Sequence, residues 1–308
     1  MSNPSSLFND PLVDRRKFII NTIQSAGLLF AMPVISKATD LKLTSETHTV
    51  GQVIDLFIKE VPGGILSKTV DTLKAGNRDT KVTGIVTTMF ATVEVIRKAI
   101  NLGANFIIAH EPTFYNHTDD TSWLQNDAVY LYKAGLLKQH NIAVWRNHDY
   151  IHSLVPDGVT MGVLDRLEWQ KYADHDLPDI IVLSPITLKD LIGDVKEKLG
   201  IEKLRYIGDP GQWCHRVLLM PGAAGGRSQI EAIGKAKPDV LICGEIQEWE
   251  TAEYVRDARA KGDNLSLVVL GHIASEEPGS EFMLKWLREK IPSIKSTHIS
   301  PGNSLSFL

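Results

Sequence analysis

The feature of this sequence that most constrains its fold is the alternation of short apolar runs with segments of helical periodicity. The apolar runs, rich in β-branched residues, lie at Val82–Phe90, Phe106–Ala109, Ala143–Trp145, Ile180–Leu183, Val217–Met220, Val240–Cys243 and Leu265–Leu270. Helical patterns lie between them, at Thr92–Leu102, Thr187–Leu199, Ser228–Lys237, Glu248–Ala260 and Glu281–Lys290. Strands that alternate with helices of this length predict an α/β fold with largely parallel strand pairing.

The length of the chain, 308 residues, suits two domains or one domain built from two halves. A region rich in Pro, Asp and Gly, residues 157–211, separates an N-terminal from a C-terminal part. We predict an α/β half over residues 39–175 and a second over 176–308, each a mostly parallel sheet flanked by helices. The two halves share one detail, because each has a strand that ends in a histidine, at His110 and at His272.

Composition excludes several classes of protein. With 43% hydrophobic and 23% charged residues, the chain has the make-up of a globular protein with a sizeable core. The net charge of −4 argues against nucleic-acid binding by phosphate neutralisation. Two cysteines are too few for a disulfide scaffold. Cys243 is expected to be a small core residue, and a pair between Cys214 and Cys243 in an oxidising compartment is the alternative.

The first 38 residues resemble a twin-arginine export signal. Arg15 and Arg16 directly precede a run of moderate hydrophobicity, Phe18–Ile35, and small residues follow at Ser36–Ala38. An ordinary amphipathic N-terminal helix is the alternative interpretation. The signal predicts a periplasmic or otherwise exported protein with no stable membrane span after its removal. Export of an already folded chain suits a protein that acquires a metal in the cytoplasm.

Metal-competent side chains follow three of the predicted strands. His110 and Glu111 come after the strand at Phe106–Ala109, and His272 and Glu276 come after the strand that ends at Leu270. Open α/β sheets bind ligands beyond the carboxyl ends of their strands, and imidazole and carboxylate are ligands for Zn, Fe or Mn. Taken alone, such a pair is more often hydrogen-bonded structure than a pair of ligands, but the recurrence of these pairs at strand ends favours a metal site.

Two further histidines, His148 and His152, follow the strand at Ala143–Trp145. They are four residues apart, so a helical turn would place them on one face, with one in the site and the other supporting the loop. The predicted ligands are His110, Glu111, His152, His272 and Glu276. Five ligands are too many for one tetrahedral zinc and enough for two divalent metal ions that share a carboxylate.

These segments resemble the Nif-three-like dinuclear metal centre family. The resemblance rests on the Val82-x-Gly-Ile segment, on Gly103-Ala-Asn-Phe-Ile-Ile-Ala-His-Glu-Pro112, on Gly244-Glu245 and on Gly271-His272-x-x-x-Glu276, and it covers nearly all of residues 48–308. It implies two related α/β halves, a toroidal homo-hexamer and a pair of metal ions in each subunit. The type-2 GTP cyclohydrolase activity that has been attached to such proteins is not secured by resemblance.

The family pattern is carried over with two departures among the ligands. The family's first histidine falls on His110, and its second falls on Glu111. When His148 is aligned with the mid-chain histidine, the family's aspartate falls on His152. The C-terminal His and Glu fall on His272 and Glu276 without change.

Hydrolysis is the reaction that such a centre favours. Two metal ions about 3.5–4 Å apart hold a bridging hydroxide as the nucleophile and clamp a substrate oxygen, which suits a phosphoester, an amide or a purine ring in a small molecule. Glu245, at the end of the strand Val240–Cys243, is the candidate general base, and a carboxylate that caps the next helix is the alternative. A non-enzymatic oligomeric scaffold or a metal-handling protein is the competing function.

Overall fold

A computed structural model describes residues 47–306 and residue 308. The strands of this part are β1 (Leu73–Ala75), β2 (Ile85–Thr88), β3 (Phe106–Ala109), β4 (Ala143–Arg146), β5 (Ile180–Thr187), β6 (Arg205–Ile207), β7 (Trp213–Met220), β8 (Val240–Cys243), β9 (Ser266–Val269) and β10 (Ser296–His298). The helices are α1 (Val50–Ile58), α2 (Val93–Asn101), α3 (Ala128–Gln139), α4 (Asp149–His152), α5 (Gly158–Leu167), α6 (Leu188–Leu199), α7 (Gly226–Ala236), α8 (Glu253–Lys261) and α9 (His272–Lys290).

The strands form two five-stranded sheets within the described residues, in the orders β1-β4-β3-β2-β10 and β5-β7-β8-β9-β6. In the first sheet β10, β2, β3 and β4 pair in parallel, and in the second β7, β8 and β9 do so. The antiparallel strands β1, β5 and β6 lie at sheet edges. The predicted α/β fold with mostly parallel sheets and flanking helices is therefore confirmed.

The last strand returns to the first sheet. β10 follows every strand of the second sheet in sequence, yet it pairs with β2, where Thr297 lies opposite Val86. Residues 296–298 thus complete the sheet that the N-terminal part begins. The division at residues 175 and 176 stays a prediction.

Alternation along the strands places helices on both faces of each sheet. Phe106 and Ile108 of β3 enter the same hydrophobic core as Val217 and Leu219 of β7, together with residues of α1, α5, α6 and α9. The opposite faces enter separate cores, one with α2 and α3 and the other with α7 and α8. The two sheets consequently enclose a shared layer of helices, because successive strand residues point to opposite faces.

Helix α9 begins earlier than its sequence predicts. The pattern predicts a start at Glu281, after Pro278, because proline inside a helix lacks an N–H donor. In the structure the helix starts at His272 and continues through Pro278. Its packing against α5 accounts for the difference, since tertiary contacts supply most helical stability. A Cβ on Gly162 of α5 would lie 2.3 Å from the Pro278 carbonyl oxygen, so glycine is what permits this close crossing.

The predicted export signal at residues 1–38 lies outside the described residues and stays a prediction. Among the residues that are described, no helix is long and apolar enough to cross a membrane. Cys214 and Cys243 are both buried and unpaired, which agrees with the core role expected of Cys243.

Two glycine-to-alanine substitutions inside helices should have opposite effects on stability. Gly162→Ala places a methyl group against backbone atoms of α9, so we expect a loss of about 1–3 kcal/mol in the free energy of unfolding. Gly193→Ala in α6 meets nothing within 4 Å, and we expect a gain of roughly 0.5–1 kcal/mol. Urea unfolding of both variants measures this, and equal changes would contradict the packing argument.

Candidate metal centre

The candidate centre forms where strands of both sheets end. His110 and Glu111 directly follow β3, and His148 follows β4 by two residues, at the same edge of the first sheet. His272 is the first residue of α9, three residues beyond β9 in the second sheet, and Glu276 lies one helical turn further. The carboxyl ends of parallel strands from two sheets thus bring together residues that are far apart in sequence.

The potential ligands fall into two groups. The imidazole group consists of His110, His148 and His152, whose nitrogen atoms lie within 4.8 Å of one another. Glu111 and Glu276 lie within 4.8 Å of His110 as well, and together with His272, which contacts both of them, we call them the carboxylate group. His272 Nε2 lies 3.0 Å from Glu111 Oε1 and 2.9 Å from Glu276 Oε2. All five side chains predicted as ligands therefore lie in one cluster, and their binding of metal stays a prediction.

Glu276 lies between the two groups. Its Oε2 is 2.9 Å from His272 Nε2 and 3.5 Å from His110 Nε2, and its Oε1 is 3.9 Å from His152 Nε2. Gly222 makes room for this carboxylate, since a Cβ there would lie 2.0 Å from Glu276 Oε1, and its φ of +70° also favours glycine. The Glu276 carboxylate is therefore fixed where it faces both groups.

The four histidines share one hydrogen-bonding arrangement. In each ring Nδ1 lies near an acceptor: the Asn147 carbonyl oxygen at 3.1 Å from His110, Asp149 Oδ1 at 2.9 Å from His148, Asp157 Oδ2 at 2.7 Å from His152 and Glu245 Oε1 at 2.9 Å from His272. These acceptors assign the proton to Nδ1 and leave Nε2 for a further partner. An outer acceptor on one nitrogen is what metal-binding histidines have in proteins.

His110 gives the clearest sign that a cation fits. Its Nε2 is buried and has no hydrogen-bond partner within the described part of the chain. Buried polar atoms are rarely left without a partner, because their desolvation is then uncompensated. With Nδ1 directed at the Asn147 carbonyl oxygen, the neutral ring turns an Nε2 lone pair towards the carboxylates, where a proton or a metal ion would satisfy it. The residues present therefore fit a bound divalent cation.

Electrostatics in the cluster points the same way. Burial lowers the pKa of His272, but its hydrogen bonds to Glu111 and Glu276 outweigh burial and raise that pKa to about 11. Burial raises the pKa of Glu276, but His110 and His272 hold it well below its usual range. Burial and the neighbouring His110 lower the pKa of His148 to about 4, which keeps that ring neutral. The carboxylates thus require nearby positive charge, which a proton on His272 supplies in the metal-free protein.

Asp71 supports the centre from a distant part of the sequence. Its two carboxylate oxygens accept hydrogen bonds from the backbone N–H groups of His148, at 2.9 Å, and Tyr150, at 2.8 Å. Nearby, Thr69 Oγ1 and the Val70 N–H donate to Asp149 Oδ2 at 2.8 and 3.0 Å. Segment 69–71 thereby fixes the loop that carries His148 and His152. No local spacing in the sequence signals this role.

Arg146 is a second residue that sequence reasoning missed. It ends β4, is fully buried, and its Nη2 lies 3.7 Å from Glu111 Oε2. Its Nε donates to the His110 carbonyl oxygen at 3.3 Å, and its Nη1 donates to the His117 carbonyl oxygen. Arg146 therefore neutralises Glu111 and holds the loop after it. The predicted strand ends at Trp145, and nothing in the local sequence indicates that the next residue would pair with Glu111.

Glu245 occupies a more open position than the other acids. Its side chain is 55% exposed and accepts a hydrogen bond from His272 Nδ1 at 2.9 Å. It is thus placed to orient His272, and its predicted role as general base stays a prediction. His148 lies in the imidazole group together with His152, and which of the two rings supports the loop stays a prediction.

Comparisons with known proteins agree with this architecture. The sequence profile of the family described as "Duf34/NIF3 (NGG1p interacting factor 3)" matches residues 69–301. A Clostridium acetobutylicum protein named "GTP cyclohydrolase 1 type 2 homolog" is 28% identical over 226 residues, which cover 70% of this chain and 80% of that protein.

Two solved structures share the fold. The Staphylococcus aureus hypothetical protein SA1388 superposes with a TM-score of 0.68 at 20% identity, over 84% of this chain and 99% of that one. A Bacillus cereus protein related to NIF3 superposes with a TM-score of 0.66 at 16% identity, over 85% of this chain and 99% of that one. At these identities the likeness establishes the fold alone.

Asp71→Asn should weaken metal binding while the chain stays folded. One of the two acceptor oxygens becomes an amide N–H₂ group, so the loop of His148 and His152 loses a fixed contact. We expect a loss of about 10–100-fold in zinc affinity, the usual effect of removing an outer partner of a ligand. Isothermal titration measures this. Asp79→Asn, at an exposed site, is the control, and an equal loss there would contradict the assignment.

Lys133 should give stability a distinctive pH dependence. Burial lowers its pKa to about 8, and Asp119 offsets only part of that effect, while its Nζ donates to the Thr113 carbonyl oxygen at 2.6 Å. Between pH 8 and about 10.4, its ordinary pKa, the unfolded chain binds more protons than the folded one. The free energy of unfolding should therefore rise with pH across this window.

Lys133→Met removes the titrating group, so the rise should shrink in that variant. Denaturant unfolding at pH 7.5 and pH 10 gives the change in the free energy of unfolding with pH for each protein. Because this change is compared, a difference in absolute stability between the two proteins does not affect the result. Equal slopes would show that Lys133 keeps an ordinary pKa in the folded chain.

Proposed function

The chain belongs to the Duf34/NIF3 family, and we propose that it binds two divalent metal ions in the described cluster and works as a metal-dependent hydrolase. The observation that carries the proposal is the position of Glu276, whose two oxygens face the imidazole group and the carboxylate group. A carboxylate between two sets of ligands is what a pair of neighbouring metal ions requires.

The residues divide naturally between two ions. His110, His148 and His152 would hold one ion, and His272 and Glu111 would hold the other, with Glu276 shared. His148 is added to the ligands predicted from sequence because its ring packs 4.9 Å from both His110 and His152, measured between centroids. The Nδ1 acceptors described above would keep each Nε2 directed at its ion.

The bound ions would supply the reactive chemistry, since a metal pair polarises a substrate oxygen and activates water at neutral pH. The chain's own residues orient and protect that pair. Arg146 and Glu111 are buried, so they position rather than contact a substrate. Glu245 is the exposed acid beside His272 and is our candidate for moving a proton at the open side of the site.

Aromatic rings border the cluster at two places. The Phe90 ring lies 6.3 Å from that of His272, and the His117 ring lies 6.0 Å from that of His148, measured between centroids. Such rings suit a small substrate with a planar group. The relative from Clostridium acetobutylicum is named for a GTP cyclohydrolase, so GTP belongs in the substrate panel beside phosphoesters and amides.

Assembly and location form part of the same proposal. We propose a homo-oligomer, with the hexamer suggested by family resemblance, and export through the twin-arginine route. Exposed apolar side chains on α3, at Val129, Leu131 and Tyr132, support an interface there. The pair Arg15-Arg16 and the apolar run after it support export.

Elemental analysis tests the centre. The full-length wild type, purified without chelator, should contain about two metal ions per chain. His272→Ala should contain fewer, because it loses a ligand of the carboxylate group. His215→Ala is the control, since its ring is exposed on β7. Absence of metal from all three proteins, also after reloading with zinc, would refute the proposal.

Turnover separates an enzyme from a scaffold. Glu276→Gln keeps the size of the shared side chain and removes its charge, so a hydrolase should lose at least about 100-fold in kcat while its oligomeric state is unchanged. Turnover on the substrate panel and size-exclusion chromatography with light scattering measure the two quantities. The scaffold alternative requires the reverse, loss of assembly with no turnover in either protein.

A further inference from the structure

We propose that the two halves of the centre differ in metal selectivity. The imidazole group selects a late first-row ion such as Zn²⁺, and the carboxylate group is the only half that retains Mn²⁺. This inference rests on the proposed dinuclear centre and deepens it, because it states which class of ion each half takes.

The imidazole group offers three neutral nitrogen donors. His110, His148 and His152 contribute no formal charge, and their rings lie 4.9–5.2 Å apart between centroids. Asp149 and Asp157 accept hydrogen bonds from two of the rings, which makes those imidazoles more basic as ligands. Three histidines with an open fourth position form a common zinc site.

The carboxylate group offers a different set of donors. Glu111 and Glu276 are both buried and bring two negative charges, and His272 brings the one imidazole. Arg146 Nη2 faces Glu111 Oε2 at 3.7 Å, which leaves Oε1 as the oxygen directed at His272. The anionic oxygens of this group suit a hard cation such as Mn²⁺.

The chemistry of the ions turns this contrast into selectivity. At any one site Zn²⁺ binds more tightly than Mn²⁺, so zinc is expected in both halves. Mn²⁺ binding differs between the imidazole group and the carboxylate group, because Mn²⁺ prefers carboxylate oxygens as ligands and gains little affinity from neutral imidazoles. His110 also lies within 4.8 Å of Glu111 and Glu276, but His272 makes the shorter contacts with both carboxylates, at 3.0 and 2.9 Å.

Loading experiments on the full-length wild type test the inference without any substitution. Zn²⁺ alone should load to about two ions per chain, and Mn²⁺ alone to about one. Loading with one equivalent of Zn²⁺ per chain, followed by Mn²⁺, should give one of each, with the electron paramagnetic resonance spectrum of an isolated Mn²⁺ ion. Elemental analysis after desalting gives the ratios.

Two variants should separate the halves. Glu111→Gln, which keeps side-chain size, should weaken Mn²⁺ binding by more than about 100-fold and leave the tighter Zn²⁺ site intact. His148→Ala should remove the tighter Zn²⁺ site and leave Mn²⁺ binding within about threefold of wild type. His215→Ala is again the control, and circular dichroism verifies that each variant is folded.

Two kinds of result would contradict the proposed selectivity. Two Mn²⁺ ions per wild-type chain, or equal losses of both ions in both variants, would overturn the selectivity and leave the dinuclear proposal standing. Failure of the wild type to bind either ion would overturn both proposals together.

Discussion

The arrangement of this protein depends on the burial of acidic side chains that need positive charge beside them. Glu276 and Glu111 are almost inaccessible to water, and a buried carboxylate is tolerated only when it is paired and hydrogen-bonded. Here the partners are His110, His272 and Arg146. A cluster of this kind is stable only if every member is held in position, which explains why so many surrounding residues act as supports.

The fold supplies those supports through two rigid features. Parallel strands bring His110, Glu111 and His148 to one sheet edge, and the close crossing of α5 and α9 fixes the helix that begins at His272. Asp157 links the two, because it caps α5 and also accepts the hydrogen bond of His152. The position of the candidate ligands therefore depends on how the strands and on how α5 and α9 pack in the core.

The sequence predicts much of the fold and of the candidate site. The rest depends on contacts between residues that are far apart in sequence. Alternating apolar runs predicted the central strands, and strand-end positions predicted that His110, Glu111, His152, His272 and Glu276 would meet. The edge strands β1, β6 and β10 have three residues each and carry too little periodicity to recognise. The early start of α9 depends on packing at Gly162, which no local pattern records. Asp71 and Arg146 act through contacts between residues distant in sequence, so their roles become visible only in three dimensions.

The return of β10 to the first sheet has a consequence for biosynthesis. During translation β2 emerges early together with its parallel neighbour β3, but its other parallel neighbour, residues 296–298 of β10, is synthesised only after every strand of the second sheet. His272 and Glu276 also come after every strand of the second sheet in the sequence. Nascent chains therefore carry the early histidines without the carboxylate that separates the two groups. The candidate site is therefore complete only once residue 276 has been synthesised, and chains interrupted before that residue lack part of it.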